Sequence, residues 1–438
     1  MNWLTGLFGG GARASEPEHR PRGTPLVRPE AEPRRSGLPR FDRGGFGSRA
    51  GGNDELQRVR LRLREAFTPS QPVLDERMFA GREALLATLI RAIEDQRMHV
   101  VLFGDRGMGK TSMLHVLARQ AEEAHYLVAY SSCGETSDFG DTFRSILAEV
   151  PLLYHSGYSP TDVAIEGGQT MADLLPATAP VRPRDVSAVL GKLTGTRLLI
   201  VLDEFDRSPP GGFRREVAEL IKTLSDRAIR VQLVIAGVAA NLTELVEHIP
   251  SIRRNIAGIR VTGMATEEIE ALIRLGERVS GLSYEDRAVQ VIIVAATGSP
   301  YLASLLSQHA GLNALDRGEL RVAARDVTEA LVRAEAEVHD RLSERSRYEI
   351  KRVQNDGMAE TLTELALAAL RDNGRFTAAT LAETMGRERA DEVVSDLARR
   401  YGLIELADED AGMIYHFREE GVPVFLWLST ARRRLATD

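Results

Sequence analysis

The chain has 438 residues, of which 43% are hydrophobic and 27% charged, and its formal net charge is −7 at pH 7. This length is typical of about three domains, and the composition is that of an ordinary globular protein. The acidic balance disfavours a wholly basic nucleic-acid binder, although it permits local basic patches. The single cysteine, Cys133, excludes an intramolecular disulfide and a cysteine zinc cluster. We expect a cytoplasmic protein, because a lone cysteine fits a reducing compartment and no segment has the apolar length of a transmembrane helix or the pattern of a signal peptide.

Residues 1–53 are rich in glycine, proline and arginine and contain few large apolar residues after Phe8. Such a composition cannot bury enough surface to offset the entropy of the chain, so we predict a disordered arm. Its first eight residues form an apolar tip that could dock on a partner or a membrane. The arginines behind the tip outnumber the acids and could contact anionic lipid or nucleic acid; they are Arg20, Arg22, Arg28, Arg34, Arg35, Arg40, Arg43 and Arg49. A solvated tail is the favoured interpretation, and membrane contact through residues 1–8 is less favoured.

A strand–loop–helix pattern near residue 100 is the most specific signal in the chain. The apolar run 100–103 leads into a glycine-rich segment, and an amphipathic helical pattern follows. The glycines allow a tight turn whose N–H groups point at a di- or triphosphate, and the helix start adds its positive dipole end. A glycine-rich turn without a ligand is the alternative, and the flanking strand and helix argue against it. We predict a P-loop that binds a nucleoside triphosphate, formed by Gly104, Asp105, Arg106, Gly107, Met108, Gly109, Lys110, Thr111 and Ser112.

The expected chemistry needs a second motif beside this loop. Lys110 is expected to reach the β- and γ-phosphates, and the Thr111 hydroxyl to hold Mg²⁺. A second apolar run ends in Asp203 and Glu204, and ligands collect at the carboxyl ends of parallel strands. Asp203 is therefore expected as a Mg²⁺ ligand, direct or through water, and Glu204 as the group that orients and deprotonates the attacking water. The alternative is that these acidic residues only cap the next helix, and for Asp206 this alternative is the preferred interpretation. The nine histidines lack metal-ligand spacing, so we expect no ion besides Mg²⁺.

Strand and helix patterns alternate around these motifs, which predicts an α/β fold with a parallel sheet over residues 54–264. Residues 151–184 interrupt the alternation with several prolines and glycines, as an insertion or a functional surface does. The pattern is helical from Thr266 onward, and we assign residues 265–345 to a small helical lid. Three helical patterns and a two-stranded hairpin that turns at 408–412 assign residues 346–438 to a winged helix.

With these parts in place, the chain resembles the AAA+ ATPases of the replication-initiator (origin-recognition) clade and their bacterial relatives, over roughly residues 60–420. The P-loop and Asp203-Glu204 match the Walker A and Walker B motifs of that family. The segment Met78-Phe79-Ala80-Gly81-Arg82 looks like the part that approaches the adenine, which makes Phe79 a candidate nucleotide contact. The resemblance implies an AAA+ core with a lid and a winged helix, Mg²⁺-dependent ATP hydrolysis, and a nucleotide-dependent homo-oligomer or protein partner.

Three catalytic positions are assigned through the resemblance alone. Asn241, in Ala239-Ala240-Asn241-Leu242, looks like sensor 1, a polar residue that contacts the γ-phosphate or the attacking water. A helix N-cap is the alternative for this residue. Arg253 and Arg254 lie where the family carries an arginine finger for the nucleotide of a neighbouring subunit. Simple surface arginines are the alternative.

The lid motif Thr297–Leu302 departs from the pattern of the family. It has Tyr301 where many AAA+ proteins place the sensor 2 arginine, which puts the hold of the lid on the γ-phosphate in doubt. Its Gly298-Ser299-Pro300 stretch is closer to the glycine-x-proline motif of the signalling (STAND) ATPases, whose proline packs near the adenine. Pro300 is therefore a candidate nucleotide contact, or simply the first residue of a helix.

Two functions of different classes stay open. The first is an ATP-driven switch in DNA transactions such as replication, recombination or mobile-element movement, favoured by the initiator-like core and the arginine-rich arm. The second is a signalling or scaffold ATPase that recruits protein partners, favoured by the apolar tip and by the acidic wing at 408–410. The expected DNA-contacting helix of the winged helix does not decide between them, because its arginines are interspersed with acids.

Overall fold

The structure, a computed structural model, describes residues 53–239, 250–372, 374–408 and 413–435. The predicted arm up to residue 52, the Asn241 position and the wing tip at 409–412 lie outside these ranges. All the described residues belong to one unit of the chain, Gly47–Asp438.

A five-stranded parallel sheet lies at the centre of the core, which confirms the predicted α/β class. Its strands are β1 (His99–Gly104), β2 (Leu127–Ser132), β3 (Leu198–Asp203), β4 (Val231–Val238) and β5 (Ile256–Arg260). They pair in the order β2-β3-β4-β1-β5. Every residue of β3 is buried, because helices cover a central parallel strand on both faces. The last residues of β1, β3 and β4 therefore meet at one edge of the sheet.

Helices cover the two faces of this sheet. The core helices are α2 (Glu83–Glu94), α3 (Lys110–Glu123), α4 (Phe139–Ala148), α5 (Val163–Glu166), α6 (Pro183–Leu190) and α7 (Gly212–Asp226), after a first helix α1 (Asn53–Ala66). Leu89 of α2 and Met113 of α3 share one buried cluster with the sheet. Phe143 of α4 and Leu220 of α7 belong to the cluster on the other face. The two clusters show the three-layer packing typical of such sheets.

The predicted insertion at 151–184 packs against the core. It contains α5 and two 3₁₀ turns, Leu152–Tyr154 and Met171–Leu174, and Met171 is fully buried in the cluster beside α4. The side chain of Arg144 donates a hydrogen bond to the Pro176 carbonyl at 2.8 Å. On the outer side of the insertion, Leu153 is 46% exposed and Val163 is 82% exposed. The insertion is therefore anchored by its inner face and presents apolar side chains on its outer face.

Helices follow the sheet, as expected for the lid. They are α8 (Thr266–Ser280), α9 (Asp286–Ala296), α10 (Pro300–Asp316) and α11 (Ala324–Arg341), with a short parallel pair of β6 (Ser283–Tyr284) and β7 (Arg321–Val322). Helix α1, which the sequence grouped with the sheet core, packs instead on these lid helices through Leu63 and Phe67. A Cβ on Gly276 would lie 2.0 Å from the Phe67 ring, so only glycine allows this approach.

The C-terminal part has more regular structure than the sequence predicted. Its elements are α12 (Glu344–Asn355), α13 (Ala359–Arg371), β8 (Arg375–Thr377), α14 (Ala379–Met385), α15 (Arg387–Arg399), β9 (Ile404–Asp408), β10 (Ile414–Phe417) and α16 (Gly421–Leu435). The predicted hairpin gains β8 as a third strand, in the order β8-β10-β9. This order of helices and strands is the one that motivated the winged-helix assignment, which itself stays a prediction.

Helix α16, which the sequence analysis did not identify, joins the lid to the C-terminal part. Leu428 belongs to the buried cluster of the lid, whereas Leu426 belongs to that of the C-terminal part. The Trp427 indole donates a hydrogen bond to the Ala295 carbonyl of α9 at 2.8 Å. No helix in the described part of the chain is long and apolar enough to cross a membrane.

Candidate nucleotide-binding site

The P-loop connects the end of β1 to the first turn of α3, as predicted. Gly107 and Gly109 have φ values of 76° and 84°, in the region that L side chains disfavour. Gly104 faces the chain that follows β5, since a Cβ there would lie 2.4 Å from the Val261 carbonyl oxygen. These three glycines give the loop its tight course, and α3 then begins at Lys110.

The Lys110 ammonium lies inside this loop. It donates hydrogen bonds to the carbonyl oxygens of Gly104 and Asp105, both at 2.8 Å, and the residue is only 8% exposed. Burial lowers the pKa of Lys110, and the carboxylates of Asp206, Asp105 and Asp203 oppose that shift. A buried cation at a helix start is well placed to meet an anion such as a phosphate.

Asp203 is the last residue of β3 and is 3% exposed. Its Oδ1 accepts a hydrogen bond from the Glu204 N–H at 2.8 Å, and its Oδ2 accepts one from the Tyr130 hydroxyl at 2.7 Å. The carboxylate therefore has one protein donor on each oxygen. Hard oxygen ligands of this kind, with the Thr111 hydroxyl at the start of α3, fit the preference of Mg²⁺.

Glu204 follows Asp203 in a left-handed conformation, with φ at 51°. Its carboxylate is half exposed and forms an ion pair with Arg207 at 2.8 Å. A left-handed residue other than glycine is uncommon and often marks a functional site. Glu204 thus has the exposure that a base acting on water requires.

The preferred interpretation of Asp206 is wrong. Helix α7 begins after Gly211, so Asp206 does not cap it. Instead, the Oδ1 of Asp206 accepts a hydrogen bond from the Val238 N–H at 2.8 Å. It therefore joins the turn after β3 to the end of β4, just before the region that contains Asn241.

The lid contacts the P-loop through the first residues of α10. Pro300 is the first residue of that helix, and the Ser299 hydroxyl caps it by accepting from the Leu302 N–H at 3.3 Å. A Cβ on Gly109 would lie 3.8 Å from the Pro300 ring, and one on Gly107 would lie 3.5 Å from the Tyr301 Cβ. Both interpretations of Pro300 therefore have support, because it starts a helix and also lies against the phosphate-binding loop.

The C-terminal part also contacts the P-loop, which no sequence pattern indicated. Arg106 lies 3.8 Å from the carboxylate of Glu420, just before α16. A Cβ on Gly374, just before β8, would lie 3.8 Å from Asp105 Oδ1. Burial raises the pKa of Asp105 to about 6, against the pull of Lys110, Arg260 and Arg375. Lid and C-terminal part thus meet on the same loop.

The remaining predicted contacts have mixed outcomes. Phe79 packs in the cluster that contains α2 and α3. The Ser112 hydroxyl accepts a hydrogen bond from the Val73 N–H at 3.0 Å, which gives it a structural partner. Arg82 ends the segment expected near the adenine; its backbone N–H donates to Glu268 at 2.7 Å and its guanidinium to the Thr262 carbonyl at 2.5 Å. Arg82 therefore ties the start of α2 to the lid.

The remaining catalytic candidates stay predictions. Asn241 lies outside the described residues. Arg253 and Arg254 lie in the 3₁₀ turn Pro250–Asn255, directly before β5, and Arg254 is exposed. The position before the last strand is the one that suggested an arginine finger.

Residues 78–235 match the sequence model of the AAA ATPase domain family. The core is therefore similar to an AAA ATPase domain over these residues. The matched segment contains the P-loop and the Asp203-Glu204 pair, and it ends within β4. No curated protein sequence matches the chain with significance.

Solved structures with a similar fold resemble the chain only weakly. The Aeropyrum pernix ORC2 protein is 14% identical, with coverage of 86% of this chain and 99% of the other and a TM-score of 0.46. A Walker-type ATPase of Pyrococcus abyssi is 13% identical, with coverage of 82% and 98% and a TM-score of 0.48. The Thermotoga maritima RuvB Holliday junction branch migration motor is 17% identical, with coverage of 80% and 96% and a TM-score of 0.42. Similarity at this level transfers no property to this chain.

Replacing Lys110 tests whether this P-loop binds nucleotide. We expect Lys110→Ala to abolish ATP binding, a loss of at least about 100-fold in affinity, because charge-assisted hydrogen bonds to the phosphates disappear. Lys222→Ala, on the exposed face of α7, is the control that removes a lysine elsewhere and should bind ATP normally. Binding is measured with a fluorescent ATP analogue. Near-normal affinity of Lys110→Ala would contradict the assignment of this loop.

Proposed function

We propose that this protein is a switch driven by the binding and Mg²⁺-dependent hydrolysis of ATP. The P-loop holds the phosphates, Lys110 neutralises their charge, Thr111 and Asp203 hold Mg²⁺, and Glu204 activates water. The observation that carries the switch is the shared contact surface, because Pro300 of the lid and Glu420 of the C-terminal part both lie against the phosphate-binding loop. A nucleotide that enters or leaves this loop therefore changes the contacts of Pro300 and of Glu420 at the same time.

An assembly with neighbouring copies fits this proposal. Arg254 is exposed and its turn leads directly into β5, the edge strand next to β1. An arginine at that position can meet the nucleotide of a neighbouring subunit without rearrangement of its own core. Arg253 or Arg254 would then stabilise the charge on the transferring phosphoryl group in trans.

The step that Glu204 performs is tested by Glu204→Gln. Loss of the general base is expected to slow hydrolysis by about 10²-fold or more while ATP binding stays normal. Steady-state phosphate release and nucleotide affinity are measured on the same preparation. Glu219→Gln, an exposed change on α7, is the matched control. Unchanged turnover of Glu204→Gln would assign the activation of water to another residue, with Asn241 the next candidate.

We further propose DNA as the target of the switch, on the basis of one surface of the C-terminal part. The Arg352 guanidinium lies 5.9 Å from the Tyr348 ring and 5.1 Å from the Tyr401 ring, and Arg400 lies 5.1 Å from the same Tyr401 ring. Tyr348 is 63% exposed. The exposed Tyr348 and Arg400 can stack on bases and contact phosphates, whereas Tyr401 is buried beneath the arginines. Arg352 and Arg400 also form ion pairs with Glu349 and Asp356. The exposed cations Arg345 and Lys351 lie on the same helix, α12.

Salt-dependent binding decides whether this surface meets DNA. We expect the protein to bind duplex DNA, and the double change Arg345→Ala, Lys351→Ala to lower the slope of log affinity against log salt by about 1 to 2. The double change Arg215→Ala, Lys222→Ala removes the same charge from exposed positions on α7 and should leave the slope unchanged. Fluorescence anisotropy at several salt concentrations gives both slopes.

A second candidate target, a protein partner, is favoured by the outer face of the insertion at 151–184. Val163 is 82% exposed there and Leu153 46% exposed, so a partner that covered them would remove apolar surface from water. Absence of DNA binding even at low salt would contradict the DNA proposal and leave this candidate as the function to pursue.

A further inference from the structure

Tyr130 links the two elements that carry the proposed Mg²⁺ ligands. It lies on β2, the neighbour of β3, and its hydroxyl donates to Asp203 Oδ2 at 2.7 Å. Its ring stacks on the His115 ring, with centroids 4.8 Å apart and planes inclined by 4°. His115 lies on α3, one helical turn after Thr111. One side chain therefore contacts both the Asp203 carboxylate and the helix whose first turn carries Thr111.

We propose that Tyr130 is a positioning residue for Mg²⁺, holding the Asp203 carboxylate in the orientation that the ion requires. The proposal rests on the proposed function, since it assumes MgATP at the P-loop. The Tyr130 hydroxyl is the donor in this hydrogen bond and the ionised Asp203 carboxylate is the acceptor. Groups that hydrogen-bond a metal ligand in this way control metal affinity without touching the metal.

The geometry of the carboxylate supports this role. The Glu204 N–H donates to Oδ1 and the Tyr130 hydroxyl to Oδ2, so the plane of the carboxylate is set by one donor just after β3 and one donor on β2. An ionised carboxylate has about four acceptor sites, and two of them therefore remain for Mg²⁺ or its water ligands. Mg²⁺ demands near-ideal octahedral geometry, so it is sensitive to rotation of a ligand. If the Tyr130 hydroxyl is removed, Asp203 Oδ2 loses the hydrogen bond that holds it in place.

The test separates Mg²⁺ affinity from nucleotide affinity. A fluorescent, non-hydrolysable ATP analogue is bound to the full chain, and Mg²⁺ is titrated from an EDTA-buffered start. Tyr130→Phe keeps the ring stack and removes only the hydroxyl. We expect the Mg²⁺ concentration for half-saturation to rise by about 10-fold or more, with affinity for the analogue in EDTA changed by less than about 2-fold.

Tyr126→Phe is the matched control, because it also removes one tyrosine hydroxyl. Tyr126 lies just before β2, at the end of the strand opposite to Asp203, and its hydroxyl forms hydrogen bonds with Glu94 and Arg197. It should titrate like the unchanged protein. His115→Ala removes the stack and keeps the hydroxyl, so its effect on Mg²⁺ should be smaller than that of Tyr130→Phe.

Three results would overturn the proposal: an unchanged Mg²⁺ requirement in Tyr130→Phe, an equal loss of analogue affinity with and without Mg²⁺, or a larger Mg²⁺ effect in His115→Ala. The proposed function fails separately, if the unchanged protein does not bind the analogue at all or binds it without regard to Mg²⁺.

Discussion

The buried ammonium group of Lys110 lies at the carboxyl edge of the sheet and needs polar partners from several elements. A charge removed from water is costly unless it is hydrogen-bonded and paired. Lys110 meets this condition through two carbonyl oxygens of its own loop and through the nearby carboxylates of Asp105, Asp203 and Asp206. Those carboxylates come from the loop after β1 and from the end of β3, so the parallel order of the strands is what brings them to the lysine.

The lid and the C-terminal part both reach the same edge of the sheet. The lid reaches it through Pro300, and the C-terminal part reaches it through Gly374 and Glu420. Helix α16 packs in the buried clusters of both parts, and Trp427 bonds the backbone of α9. A displacement of the lid by nucleotide is therefore expected to reach the C-terminal part by two routes, directly at the P-loop and through α16.

The sequence predicted the features that arise from local patterns. Apolar runs identified the strands of the core, and glycine spacing identified the P-loop, because these signals lie within a few residues of each other. The contact of Glu420 with Arg106 and the packing of Phe67 on Gly276 join residues more than 200 positions apart, and no periodicity indicates them. Asp206 was assigned to a helix cap by its position alone, whereas its partner is on β4. The role of Tyr130 was likewise hidden, since a tyrosine in an apolar strand is usually a packing residue.

Nucleotide at the P-loop is proposed to act on the C-terminal part of the same chain. Hydrogen exchange of the backbone amides in β8 and around Glu420 measures this coupling, in Glu204→Gln protein with and without MgATP. MgATP is expected to increase protection of the P-loop and to lower protection of these two C-terminal segments, because the phosphates compete for Arg106 and Lys110. Lys110→Ala should abolish both changes. Protection of the P-loop with unchanged exchange in β8 and around Glu420 would contradict the proposed coupling.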